Sequence, residues 1–274
     1  MRTGARAQGS RATLTGRSRA WLVALAALTG GAACGNAAVP GPGAQDPAVV
    51  VRFEEPAPSD RASAAFLRER GPVTQAAAAV TDLLTLDRPV PLVVRSCDGD
   101  GSSYDPESRR IDICYEEVSE AQALFARAGR QDTDDAVAAV LQETVFHETA
   151  HAVVDALDVR TTGREEDFAD QFAALMLLRQ GAAGERRLRA AADAWSLLAA
   201  TAENADGDAE DEHSPDRERA VSAFCHLYGS APGRHQDLVR PDVLPLARAR
   251  GCAEEWAAVR DTWLKALGPA LREG

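Results

Sequence analysis

Thr133–Asp158 reads TDDAVAAVLQETVFHETAHAVVDALD, and the spacing of its apolar residues decides what kind of fold surrounds it. At about 100° per residue, Phe146, Ala150, Val153, Val154 and Leu157 share one stripe, which predicts a single amphipathic helix over 133–158. Asp134 and Asp135 stand where a helix N-terminus favours acids. Ala152 and Ala156 leave the opposite face small enough for close packing. Along the edge of the stripe runs Phe146-His147-Glu148-Thr149-Ala150-His151, an H-E-x-x-H motif. His147 and His151 are one turn apart and roughly 40° apart around the axis, so both imidazoles can converge on one ion. Glu148 points about 100° away from His147, beside such an ion rather than on it.

A catalytic zinc needs a third protein ligand and an open fourth position. The extended motif H-E-x-x-H-x-x-G-x-x-H does not supply it, since Val154 and Leu157 occupy its Gly and third His positions. Asp155 is another turn along and too short to reach. After a turn at Thr161-Thr162-Gly163 comes Arg164-Glu165-Glu166-Asp167-Phe168-Ala169-Asp170. Glu166 and Asp170 are i,i+4 neighbours on the next predicted helix, which Phe168, Phe172, Leu175 and Met176 would pin to a core. Glu166 is therefore the candidate third ligand, and Asp170 the candidate acceptor for the outer N–H of a metal-bound His.

Upstream, Ala48–Phe53, Pro89–Cys97 and Arg109–Tyr115 are β-like, and the turn formers of Asp98–Ser108 read as a hairpin connection between the last two. Arg61–Leu86 reads as helix broken at Gly71-Pro72. From about Ser119 the chain is mostly helical, apart from an acidic stretch at 203–212 that reads as a solvated loop. The predicted class is α+β, a small N-terminal antiparallel or mixed sheet followed by a mostly helical part that carries the H-E-x-x-H helix.

Residues 1–33 read as an export leader. Arg2, Arg6, Arg11, Arg17 and Arg19 precede a short apolar stretch, Trp21–Leu28, too short to span a bilayer. Leu28-Thr-Gly-Gly-Ala-Ala-Cys34 resembles a bacterial lipobox, which makes Cys34 the candidate lipidated residue; the alternative is plain secretion after Ala33 or Ala38. The small, Pro/Gly-rich residues 34–47 read as a tether, leaving 48–274 as one domain. The formal charge is −12, and without the five leader arginines the acids exceed the bases by about 17. A body that acidic excludes nucleic acid as a partner and leaves a membrane only through the N-terminal lipid anchor. Cys97, Cys114, Cys225 and Cys252 form an even set, as an oxidising compartment favours. Three connectivities exist, and proximity favours 97–114 with 225–252. A cysteine zinc site is the rival reading, but no C-x-x-C pair occurs.

The H-E-T-A-H motif followed by Glu166 and Asp170 resembles the HExxH…ExxxD arrangement of gluzincin metallopeptidases, including the prenyl-protease and heat-shock membrane peptidase branch. More narrowly, several segments resemble a bacterial family of domains of unknown function described as metallopeptidases. These are Cys97…Tyr104-Asp105-Pro106…Ile113-Cys114-Tyr115-Glu116, the H-E-T-A-H motif, Gly163-Arg164-Glu165-Glu166, Ala169-Asp170-Gln171, Asp211-Glu212-His213 and Cys225…Tyr228-Gly229, over residues 48–256. The resemblance implies a zincin-like fold, His147, His151 and Glu166 as Zn²⁺ ligands, and Glu148 as general base. The expected function is an exported zinc metallopeptidase acting on peptide or protein substrates. His213 is the candidate catalytic donor to the oxyanion, with Arg217 and Tyr228 behind it, and Arg109–Tyr115 the expected sheet edge for an extended peptide. The alternative is a cell-envelope lipoprotein that keeps this scaffold and binds a partner without catalysis. Glu148 separates the two, because a non-ligand carboxylate in the motif is required only for turnover.

Overall fold

Val49–Phe53 (β1) and Val90–Arg95 (β2) pair in parallel, with Val51 opposite Leu92. Parallel neighbours require a crossover, and here it is made by α1 (Arg61–Arg70) and α2 (Pro72–Leu83). The break between those helices falls where Gly71-Pro72 predicts it. Gly71 takes φ +64° and donates its N–H to Leu67 O, while Pro72 fits the first turn of the next helix, which needs no N–H. The apolar face of α2 (Val73, Ala76, Val80) is buried in the core with Leu92 and Val94.

The computed structural model describes residues 46–161, 163–201 and 213–272. The leader 1–33, Cys34, most of the 34–47 tether and the acidic stretch 203–212 lie outside the described residues.

The expected hairpin between the second and third β-like segments is corrected. Arg110–Cys114 (β4) runs parallel to β2, with Val94 opposite Ile113, and the hairpin partner of β4 is a short strand, Ser103–Asp105 (β3). The sheet order is therefore β1-β2-β4-β3. The turn formers of 98–108 conceal a strand because β3 is only three residues long, too short for an alternating pattern. It follows that Arg109–Tyr115 is not an edge: β3 covers it and is itself the edge strand.

The helical part begins with α3 (Glu116–Arg127) and α4 (Asp134–Ala156), the helix predicted over 133–158. Arg70 of α1 bonds Asp134 at 2.5 Å and Asp135 at 2.9 Å, so the first-turn acids also anchor this helix to α1. Helix α4 is buried around most of its circumference rather than along one stripe; Val137, Leu141, Val145 and Ala152 are as buried as Phe146 and Val153. The reason is its central position: α2 and α3, β3 and β4, and the two helices that follow all pack on it. Those two are α5 (Glu165–Leu178) and α6 (Ala182–Thr201), followed by α7 (Asp216–Ser230), α8 (Leu246–Ala249) and α9 (Cys252–Leu267). The α+β class holds, with the small mixed sheet first and the helices after it. Among the described residues no helix is long and apolar enough to cross a membrane.

Helix α5 is held by aromatic packing. Trp263 of α9 is fully buried, stacks on Phe168 at 4.0 Å between ring centres, and donates its indole N–H to Phe168 O at 3.2 Å. Phe172 closes the other side at 4.8 Å. Cys97 with Cys114, and Cys225 with Cys252, sit at disulfide distance, with Cα atoms 5.5 and 5.1 Å apart. The first pair joins the C-terminal ends of parallel strands and the second joins α7 to α9. Beside the second, Gly229 lets the two helices touch: a Cβ there would lie 2.2 Å from Cys252 O. Helix propensity alone favours Gly229→Ala by about 1 kcal/mol. Overpacking against backbone outweighs it, so the variant is expected to lose about 3 kcal/mol in urea unfolding. A stabilised variant would show that α7 and α9 do not approach this closely.

Candidate metal centre

Four side chains from three segments converge at the first turn of α5. His147 and His151 lie one turn apart on α4, with Nε2 atoms 3.3 Å from each other. From across the helix pair, Glu166 brings Oε2 to 3.0 Å from His147 Nε2 and 3.4 Å from His151 Nε2. His213, three residues before α7, places its Nε2 2.9 Å from the same oxygen. The chain can do this because α4 and α5 pack side by side after a turn in which Asp158 and Gly163 take positive φ.

Each α4 imidazole is turned the same way, Nε2 inward and Nδ1 outward onto a carboxylate. His147 Nδ1 donates to Asp170 Oδ1 at 2.8 Å, and His151 Nδ1 donates to Glu165 Oε1 at 2.9 Å. A carboxylate behind the outer nitrogen fixes the tautomer that leaves Nε2 with a lone pair for a cation. Burial would lower the His147 pKa, but Asp170 and Glu166 outweigh it and raise it to about 10. Glu166 moves the opposite way: against the upward push of burial, three imidazoles hold it far below the usual carboxylate range. The two inward nitrogens and the Glu166 oxygen between them are donors of the kind that hold a metal cation.

Asp170 is itself held. Arg219 of α7, its side chain 9 % exposed, donates through Nε to Oδ2 at 2.8 Å and through Nη2 to Oδ1 at 2.6 Å. The guanidinium lies 3.6 Å over the ring of Trp195 on α6. A chain of contacts, Trp195–Arg219–Asp170–His147, thus ties α6, α7 and α5 to the first histidine of the motif. Glu143, one turn before His147, is buried next to this chain. Burial and the Asp170 charge push it up to about 7 against the pull of Arg219.

Glu148 stands between two clefts and lines both, together with Ser102, His147 and His213. One, of about 760 Å³, has an apolar wall from Ala121 and Leu124 of α3, Val140 of α4, and Trp195 and Leu198 of α6. The other, of about 1060 Å³, is walled by Tyr104 and Pro106, Asp155, Asp158 and Glu165. Burial raises the Glu148 carboxyl, opposed by His147 and His151. Edge strand β3 runs along the second cleft, and Tyr104, read in the sequence as part of a turn, donates its hydroxyl to Asp155 at 2.7 Å and so ties that strand to α4.

A sequence model of the family described as "Putative metallopeptidase" matches residues 53–267. The chain belongs to that family. The match runs from the last residue of β1 to the end of α9, so β2, β3 and β4, both histidine-bearing segments and α5 all lie within it. No curated protein and no solved structure matches the chain. Membership implies a metal, and the grouped His and Glu donors provide somewhere to hold one.

The structure brings His147, His151, Glu166, Asp170 and His213 together and sets Glu148 beside them. It does not bring in Arg217 or Tyr228; neither lines either cleft, and the Tyr228 hydroxyl accepts from Gln236 at 3.3 Å. His226 and His235 are structural, beside Glu255 and Glu185 respectively. Arg219, Trp195, Glu143 and the role of Glu165 escape the sequence reading. Only Glu165 left a signal, being i,i−1 to Glu166 in the same helix turn. Arg219 is 49 residues from the aspartate it holds, and no spacing marks it.

Proposed function

We propose that the protein is a zinc metallopeptidase of the gluzincin type, with His147, His151 and Glu166 as zinc ligands and Glu148 as general base. The observation that carries the reading is the convergence of two Nε2 atoms and one Oε2 at 3.0–3.4 Å from one another. Two imidazoles and one carboxylate are a donor set that suits Zn²⁺, and carboxylates behind both outer nitrogens complete it. Bound zinc would supply a Lewis acid that makes a water acidic enough to attack a carbonyl near neutral pH.

The chain's own residues then divide the work. Glu148, buried and with its carboxyl raised, accepts the proton from the attacking water and returns it to the leaving amine. Asp170 and Glu165 hold the imidazoles in one tautomer. His213, at the mouth of both clefts, donates to the oxygen that gains charge on the scissile carbonyl. A peptide lies across the site with β3 as its edge partner, one side chain against the apolar wall of α3 and α6. We place the protein outside the cytoplasm, anchored through Cys34; the leader and the two cysteine pairs support this.

The test is metal content. Purified full chain is expected to hold about one zinc, and Glu166→Ala to lose it or bind it at least ~100-fold more weakly. Wild-type chain that takes up no zinc even from added metal would remove the enzyme reading. Full zinc in the variant would move the third ligand elsewhere.

A further inference from the structure

His213 stands closer to the ligand set than an oxyanion donor needs to be. A tetrahedral zinc with its ligand atoms at about 2.0–2.2 Å sets those atoms roughly 3.3–3.6 Å from one another. The edges His147–His151, His147–Glu166 and His151–Glu166 measure 3.3, 3.0 and 3.4 Å. His213 Nε2 lies 2.9 Å from Glu166 Oε2, and the donor atoms of His147, Glu166 and His213 all fall within 4.8 Å of one another, a group that does not take in His151, so a fourth corner needs His213 to move toward that side. Its ring is stacked on that of His147, with centres 5.9 Å apart and planes 26° apart.

The main chain is built to keep His213 there. Arg164, at the entrance to α5, donates through Nη1 to His213 O at 2.9 Å. Ser214 Oγ donates to Asp167 Oδ1 at 2.6 Å. Both anchors sit on the same helix end as Glu166, so the position of His213 is referenced to the ligand it approaches. Exposure separates it from the other imidazoles: its side chain is 43 % exposed, against 6 % for His147 and 14 % for His151. It is the one corner of the set that can leave without opening the core.

We propose that His213 is a fourth protein ligand of the metal, closing the site as three imidazoles and one carboxylate until substrate displaces it. This rests on the zinc reading above. Four protein ligands are the mark of a closed site, whereas a catalytic site keeps one position open. The resting protein is therefore latent, and the oxyanion role of His213 begins only after it has left the metal. The substrate that opens it is one whose carbonyl enters between the two clefts that His213 lines.

X-ray absorption at the zinc edge of the zinc-loaded full chain counts imidazoles directly. Three are expected in the wild type and two in His213→Ala, with zinc affinity by chelator competition falling roughly tenfold or more. Circular dichroism of the variant shows that it folds, and a hydrogen-bonding substitute, His213→Gln, gives two imidazoles as well. Two imidazoles in the wild type, with zinc held equally by His213→Ala, would overturn the proposal and leave the zinc reading intact. That result together with a fall in kcat would make His213 an oxyanion donor only. A wild-type chain without zinc would overturn both readings.

Discussion

Glu148→Gln is expected to retain about one zinc per chain and to lose peptide hydrolysis by about 10³-fold or more in kcat, roughly 4 kcal/mol of transition-state stabilisation. Glutamine keeps the shape of the side chain and cannot accept the proton. Glu148 lies outside the convergent donors, which are the Nε2 atoms of His147 and His151 and Oε2 of Glu166, so the metal has no reason to leave. It is also only 8 % exposed, which makes replacement by bulk water as the base inefficient. The measurement is turnover of an unstructured protein substrate beside metal analysis of the same preparation. Activity equal to wild type with zinc present would sink the assigned mechanism, and loss of both would show that Glu148 holds the metal or the fold.

The second large effect is expected at Arg219. Arg219→Leu removes the two-pronged guanidinium contact to Asp170, leaving two carboxylates, Asp170 and Glu143, buried beside each other. Breaking a buried pair from one side typically costs about 3–5 kcal/mol, so urea unfolding should show a loss of that order. The effect reaches the metal as well, because Asp170 orients His147: zinc affinity should fall roughly 10–100-fold. Arg219→Lys separates charge from geometry. It keeps the cation but not the two-pronged contact or the stacking on Trp195, so stability should recover more than zinc affinity does. Unfolding within about 0.5 kcal/mol of wild type and unchanged zinc binding would remove Arg219 from the support of the site.

The same contact sets the acid side of stability. Burial pushes Asp170 up, but the His147 hydrogen bond and the Arg219 charge outweigh it, leaving it at about 2 against an ordinary 3.8. Its folded pKa is depressed, so its contribution to stability is fully present above about pH 4 and is lost as pH falls toward 2. Without Arg219, that loss begins at higher pH.

How much of this was legible differs from element to element, and range is the cause. Helix α4 could be read because one sequence window carries the apolar repeat, the first-turn acids and both histidines. The break at Gly71-Pro72 follows from backbone chemistry in two residues, and the cysteine partners lie 17 and 27 residues apart, close enough for proximity to rank them. Glu166 and Asp170 could be picked out because a catalytic zinc on an H-E-x-x-H pair would need a third ligand, and the next predicted helix opens with acids. In each case the constraint is local, or is imposed by the chemistry of an ion.

What the sequence determined by itself is therefore the helix that presents two imidazoles, the acid that meets them, and the family's mixed α+β class. Tertiary packing decided the rest. Whether β4 joins β2 in parallel or as a hairpin depends on β3, whose three residues carry no period, and on a crossover that places β1 beside β2. Arg219 reaches Asp170 only because α5, α6 and α7 pack together, and Trp195 receives the guanidinium from a third helix. His213 reaches Glu166 because Arg164 holds its carbonyl, and Asp167 the hydroxyl of the neighbouring Ser214, to the start of α5. These contacts join residues tens of positions apart, where the loop between them imposes no periodicity. Their geometry exists only once the core around α4 has closed.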